Sequence, residues 1–140
     1  MRHAVIDTNV VVSALRSKRG ASHRLLRLIG DSRWQMTISV ALVLEYEAAG
    51  KNTCSALDLP ESIIDDIVDM ICAVGRQTTV HYRWRPHLKD AGDDFILELA
   101  VSGACEFIVT HNLRDFQGVD QFGIRAVTPG EFLAIIEETT

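Results

Sequence analysis

Apolar residues along this chain fall into two patterns: short unbroken runs, and longer stretches in which they recur every third or fourth position. The first pattern reads as a strand buried on both faces, the second as an amphipathic helix. The run from Ala4 to Ile6 is the first strand, and it ends abruptly in Asp7, Thr8 and Asn9. These are helix-starting residues, because their side-chain oxygens can accept from free backbone N–H groups, with Thr8 and Asn9 the expected caps. Val10 to Leu15 then opens a helix that Arg16-Ser17-Lys18-Arg19-Gly20 interrupts. A second helical stretch starts at Ser22, carries Leu25, Leu26 and Ile29, and closes at Gly30. Gln35 to Ile38 is a short strand. Ser39 caps a third helix, expected to run to about Ala49 and stop at Gly50.

Pro60 starts a fourth helix whose Ile63, Ile64, Ile67, Val68, Ile71 and Val74 form an apolar stripe before Gly75. Thr78 to Tyr82 is the next strand. From Asp93 a fifth helix places Ile96, Leu97, Ala100 and Val101 on one face and ends near Gly103. Phe107 to Val109 and Ile124 to Val127 are further strands, and Thr128 with Glu131 forms a capping box around Pro129 for a last helix. Strands alternating with helices imply an α/β protein: a three-layer α/β/α sandwich around a central parallel sheet. No linker divides the chain, so residues 1–140 read as a single domain.

Composition narrows the picture little beyond this. The length of 140 residues suits one ordinary core. The apolar runs are far too short to span a membrane, and Met1-Arg2-His3 leaves no room for a signal peptide before the first strand. Three widely spaced cysteines, Cys54, Cys72 and Cys105, argue against a disulfide framework or a zinc knuckle. They fit a reducing cytoplasm and are expected in the core. A net charge of −5 is wrong for a protein that holds nucleic acid on a basic surface. It does not exclude an enzyme that reaches phosphates through bound cations.

What matters is where the acids fall. Asp7 ends the first strand, at the edge where open α/β sheets do their chemistry; taken alone it could equally cap the next helix. Glu45 sits in the third helix with Ala41, Leu42 and Ala48 as same-face neighbours, which turns it partly inward. Asp93 continues the stripe of Ile96 and Leu97 at a helix N-terminus, where a carboxylate is stabilised, whereas Asp94 lines up with Glu98 on the wet face. Asp90 precedes that helix as a loop residue or an outer partner. Thr110, Asn112 and Asp115 follow another strand and supply oxygen ligands or hydrogen bonds. Carboxylates gathered this closely, with no run of arginines beside them, need a cation. An all-oxygen donor set points to Mg²⁺ or Mn²⁺, which can activate water and clamp a phosphate for phosphodiester hydrolysis.

Val5-Ile6-Asp7-Thr8-Asn9, the Glu45 helix, Asp90-x-x-Asp93 before Leu97-Glu98-Leu99-Ala100, and the run from Ile108 to Phe116 together resemble the PIN-domain ribonucleases. Among these the chain looks most like the VapC-like branch, the toxins of toxin–antitoxin pairs, whose usual "TPxEFL" ending is similar to Thr128-Pro129-Gly130-Glu131-Phe132-Leu133. The resemblance implies Mg²⁺- or Mn²⁺-dependent cleavage of RNA, with Asp7, Glu45 and Asp93 as first, second and third acids. Asp7 and Asp93 would be direct ligands and Glu45 would act directly or through water. At the fourth acid this chain carries Asn112, where many relatives have Asp. Either Asp115 compensates or the metal is held more weakly, with Asn112 and Thr110 positioning water or phosphate. The resemblance also implies a small antitoxin partner that lays a helix over an apolar surface, for which the stripe from Glu61 to Val74 is a candidate, and a homodimer.

Two basic stretches could meet RNA: Arg16, Lys18 and Arg19 after the first helix, and Arg83 and Arg85 interleaved with Tyr82 and Trp84, as stacking platforms are. Either could equally be a solvated loop. His111, a lone histidine beside the site, is a proton shuttle or an ordinary loop residue. Asn112 also motivates an alternative, a PIN-like binding module with weak or lost nuclease activity. A phosphatase that phosphorylates Asp7 ranks far lower, because that chemistry needs a second acid where Asn9 stands.

Overall fold

The computed structural model describes residues 1–80, 88 and 91–139. Strands β1 (Arg2–Ile6), β2 (Trp34–Ile38), β3 (Arg76–Gln77), β4 (Phe107–Val109) and β5 (Arg125–Val127) form one sheet in the order β3-β2-β1-β4-β5. Every pairing is parallel, with Ala4 opposite both Met36 and Phe107. Helices α1 (Thr8–Arg16), α2 (Ala21–Arg27), α3 (Val40–Ala56), α4 (Ser62–Val74), α5 (Ala91–Ser102) and α6 (Pro129–Glu138) cover it, giving the α/β/α sandwich expected of the alternating pattern.

Handedness decides which helix goes where. The chain steps outward from β1 to β2 to β3, then returns past β1 to β4 and β5. Right-handed crossovers therefore put α1 to α4 on one face and α5 on the other. The packing agrees: α6, α2, α1, α3 and α4 touch in that order, while α5 packs on β1, β2 and β4. Central β1 is buried accordingly, with Ala4, Val5 and Ile6 all at 0% exposure. Opposite Ile6, the carboxyl ends of β1 and β4 flank the point where the strand order reverses, so the crossover helices leave a crevice there.

Several expectations shift. The strand expected over Thr78 to Tyr82 falls earlier: β3 is Arg76–Gln77, with the Thr78 amide still donating to the Ile38 carbonyl at 2.8 Å and 78–80 outside the strand; residues 81 and 82 lie outside the described ones. Cys54 and Cys105 are buried but Cys72 is exposed, because it follows Ile71, the last inward residue of the α4 stripe, by about 100° of helical turn. That stripe divides: Ile64, Val68 and Ile71 are buried, Ile63 and Ile67 are half-buried, and Val74 is exposed, as is neighbouring Met70 outside the stripe. The capping box of α6 is present as expected, with Thr128 Oγ1 accepting from the Glu131 amide at 3.2 Å.

The third helix does not stop at Gly50 but runs on to Ala56. Gly50 is there for closeness of packing: a Cβ at this position would fall inside the side chain of Ile64 on α4. Gly50→Ala therefore gains about 1 kcal/mol of helix propensity but overpacks the α3–α4 contact by roughly 1–3 kcal/mol. Net destabilisation in chemical denaturation is the expected outcome, and a more stable variant would show that α4 yields freely.

Candidate active site

Asp7 stands immediately after β1. Its amide donates to the Val109 carbonyl at 2.9 Å, extending the β1–β4 ladder by one residue and fixing where the side chain emerges. Asp7 is the N-cap of α1 by position, yet its carboxylate closes no capping hydrogen bond, and neither Thr8 nor Asn9 takes over that role. The carboxylate turns instead to β4, where Thr110 Oγ1 donates to Oδ2 at 2.8 Å. Burial raises the Asp7 pKa above its ordinary value; the Thr110 bond and nearby amides of Thr8 and Asn9 pull it down, and the charge of Asp115 pushes it up again.

Thr110 is the hub of this wall. It is wholly buried; its hydroxyl donates to Asp7 and accepts from Asn9 Nδ2 at 3.3 Å and from the Asn112 amide at 3.0 Å. A hydroxyl has one proton and two lone pairs, so this one is committed to holding Asp7 rather than to gripping phosphate or water. Asn9 spans the crevice a second time, its Oδ1 accepting from the His111 amide at 3.3 Å. On the other side of β1, the buried Tyr46 hydroxyl donates to the Ile6 carbonyl. Tyr46 thereby pins α3 to the strand end that carries Asp7.

Glu45, next to Tyr46 on α3, is exposed rather than inward; Ala41 and Ala48 beside it are exposed too, so the apolar neighbours mark the border of the buried face. It still feels the charge of Asp7. Its pKa is raised, first by partial burial and then by the charge of Asp7, and lowered by nearby Thr8. Thr8 Oγ1 is itself buried and closes no hydrogen bond of good geometry, although it lies near enough to Glu45 to favour the ionised carboxyl.

Asp115 lies in a short 3-10 turn, Leu113–Phe116, anchored by Phe116 at 2% exposure. It is exposed, with its amide bonded to the Asn112 carbonyl at 3.0 Å, and close enough to raise the Asp7 pKa. The Asn112 side chain is exposed. Asp93 is half-buried in the first turn of α5, whose N-terminus the topology brings to the same sheet edge. Its neighbour Asp94 is not simply wet, since its Oδ1 accepts from the Leu88 amide at 3.0 Å. Asp90, Arg83 and Arg85 lie outside the described residues.

The structure thus brings Glu45 and Asp115 each within electrostatic reach of Asp7. Among the described residues no cationic side chain pairs with any of these three; the ion pairs present join Arg2 to Glu106, Arg33 to Asp31 and Lys51 to Glu47. Also among the described residues, no three acid, histidine or cysteine side chains are already close enough to hold a metal together. The donor chemistry nonetheless fits a hard divalent cation: oxygen ligands, carboxylates without a cationic partner among the described residues, and the buried hydroxyl of Thr8 near Glu45. Asn9, Tyr46 and Thr8 had no signal of a site role in the sequence, because each acts through a contact across the fold. Arg16, Lys18 and Arg19 make no ion pair with the acids. Arg16 and Lys18, with His23 and Arg27, instead rim an apolar groove of about 440 Å³ between α1, α2 and α4, floored by residues such as Leu15, Leu26, Ile63 and Ile67.

The parallel sheet, with Asp7 partly buried at its switch point, defines an α/β domain with a candidate site at the carboxyl edge. The profile of PIN domains matches residues 3–114, and the chain belongs to that family, whose members are generally nucleases that use divalent metals on nucleic acid. No curated protein matches the chain. Among the described residues, no helix is long and apolar enough to cross a membrane.

The pKa shifts carry a sign. Asp7 and Glu45 both bind protons more tightly folded than unfolded, so their contribution to stability is greatest below the ordinary carboxyl range and is lost as pH rises through the raised folded values. Asp7→Asn, which keeps the shape and removes the charge, should therefore raise the thermal midpoint at pH 7 in metal-free buffer. It should also flatten the fall in stability between acid and neutral pH. A midpoint that drops at pH 7 would mean that the charge is compensated after all.

Proposed function

We propose that this protein is a Mg²⁺- or Mn²⁺-dependent endoribonuclease. The observation that carries the reading is the placement of Asp7 at the end of the central strand, held there by Thr110, in electrostatic contact with Glu45 and with Asp115 and, among the described residues, without a cationic partner, in a chain that matches PIN domains over residues 3–114. In this reading Asp7 and Asp93 are direct metal ligands, with Glu45 ligating directly or through water and Asp90 at the outer edge. Asn112 and Asp115 form the opposite wall. Asn112 contributes an oxygen without charge, so Asp115 makes up the local negative charge. A divalent cation bound there would supply an activated water and charge stabilisation at the scissile phosphate.

The chain's own part is placement. Thr110 holds Asp7 by one oxygen, and Tyr46 and Asn9 keep β1, α3 and the loop after β4 in register. Arg83 and Arg85, with Arg16, Lys18 and Arg19, are the candidate contacts to RNA phosphates.

The finer reading is the toxin of a toxin–antitoxin pair, cytoplasmic and homodimeric, and it rests on the resemblance to VapC-like proteins. The apolar groove supports it: its floor is apolar and its rim carries Arg16, Lys18, His23 and Arg27, which suits an amphipathic antitoxin segment with acidic flanks. The outward side of α4, with Ile63, Ile67 and Met70, forms one wall.

Titration with Mn²⁺ tests the central claim. Saturable thermal stabilisation is expected in the wild type and not in Asp7→Asn. RNA cleavage should fall in Asp7→Asn and Asp93→Asn by more than the roughly 10–100-fold that losing an outer-shell partner costs. Absence of both the metal effect and cleavage would favour the alternative, a PIN-like module that binds RNA or protein with weak or lost nuclease activity.

A further inference from the structure

Ser22 lies in the first turn of α2 and is 3% exposed. Its Oγ sits 2.7 Å from Nε2 of His111. Serine is a weaker helix former than alanine, and a buried hydroxyl is costly unless it finds a partner. Burial accounts for Ser22 needing a partner; because that partner is an exposed side chain of the loop after β4, the bond also ties that loop to α2.

The loop it holds is the one that carries Asn112 and Asp115. Among the described residues its first part is fixed by backbone bonds: Thr110 N to Val127 O at 2.9 Å, His111 N to Asn9 Oδ1 at 3.3 Å, and Asn112 N to Thr110 Oγ1 at 3.0 Å. These bonds tie it to β5, to the start of α1 and to itself. The Ser22–His111 bond ties it to α2, which is packed between α1 and α6. A hydroxyl serves the ring in any state, donating to a bare Nε2 or accepting from a protonated one.

We propose that Ser22 and His111 are positioning residues for phosphodiester cleavage: their bond locks the loop after β4 against the helical layer and so holds Asn112 and Asp115 at Asp7. The proposal rests on the nuclease reading of the site. Ser22 touches neither metal nor substrate, and His111 acts through its side chain on the loop rather than on the reacting atoms. Both residues thus do the work of outer-shell partners, which orient ligands without being ligands.

The test is a double-mutant cycle on the full-length protein with two readouts. In hydrogen exchange, amides of residues 111–116 should exchange faster in Ser22→Ala and in His111→Ala, and no faster in the double variant than in either single one. In Mn²⁺-supported cleavage of a single-stranded RNA, kcat should fall about 10–100-fold in each single variant. KM should stay near that of the wild type, and the double variant should again be no worse. His111→Gln, whose amide nitrogen can reach the place of Nε2, should recover most of both losses. Alanine is the better helix former, so a Ser22 that served only its helix would give a Ser22→Ala protein with unchanged exchange. That result, or losses that multiply in the double variant, would overturn the proposal. If the wild type cleaves no RNA, the nuclease reading fails, and the exchange pattern by itself still decides whether the lock exists.

Discussion

The structure depends on one unfavourable arrangement: a carboxylate held at the end of the central strand, half out of water, beside two further acids and, among the described residues, opposite no cation. Asp7 is costly there because burial and the Asp115 charge both oppose its ionisation. Its position is nevertheless over-determined. Its amide continues the β1–β4 ladder, its carboxylate is held by Thr110, and the carbonyl before it accepts from Tyr46. Backbone and buried side chains fix the acid, so the acid cannot relax away from its neighbours. Groups kept in an unfavourable electrostatic state by a rigid frame are what metal sites and catalytic sites are made of.

Around that fixed point the site has two kinds of part. Thr110, Asn9 and Tyr46 form a buried or half-buried frame whose hydrogen-bonding capacity is spent inside the protein. Glu45, Asn112 and Asp115 stand exposed at its rim. A frame of this kind keeps one oxygen donor in place while the rim stays open to a ligand. The arrangement also explains how a protein of net charge −5 can address nucleic acid. Part of the negative charge is gathered at one edge of the sheet, where a cation would turn it into an attraction for phosphate.

The helical layer contributes a second surface. α4 packs Ile64, Val68 and Ile71 into the core and leaves Ile63, Ile67 and Met70 facing a groove shared with α1 and α2. Because α2 also meets the loop after β4 through Ser22, the groove and the acids are connected through one short helix rather than lying on unrelated faces.

The periodic pattern by itself determined the layer order, most of the elements and the strand end that bears Asp7. Short apolar runs bounded by turn or cap residues read as buried strands, and a strand followed by helix-starting residues places an acid at a carboxyl edge. The capping box of α6, being a local hydrogen-bonding device, was legible to the residue. Gly50 misled because a glycine that ends a helix and one that lets two helices touch look alike until Ile64 is placed against it. Glu45 misled in the same way: its neighbours show that it borders an apolar face, not which side of the border it takes. Tertiary structure alone decided that Asn9 reaches Thr110 and His111 instead of capping α1, that Tyr46 holds the end of β1, and that Ser22 meets His111 from 89 residues away. Local pattern encodes burial and helix ends because these depend on near neighbours. Pairings between polar side chains on different elements depend on how the layers close, and no spacing in the chain records them.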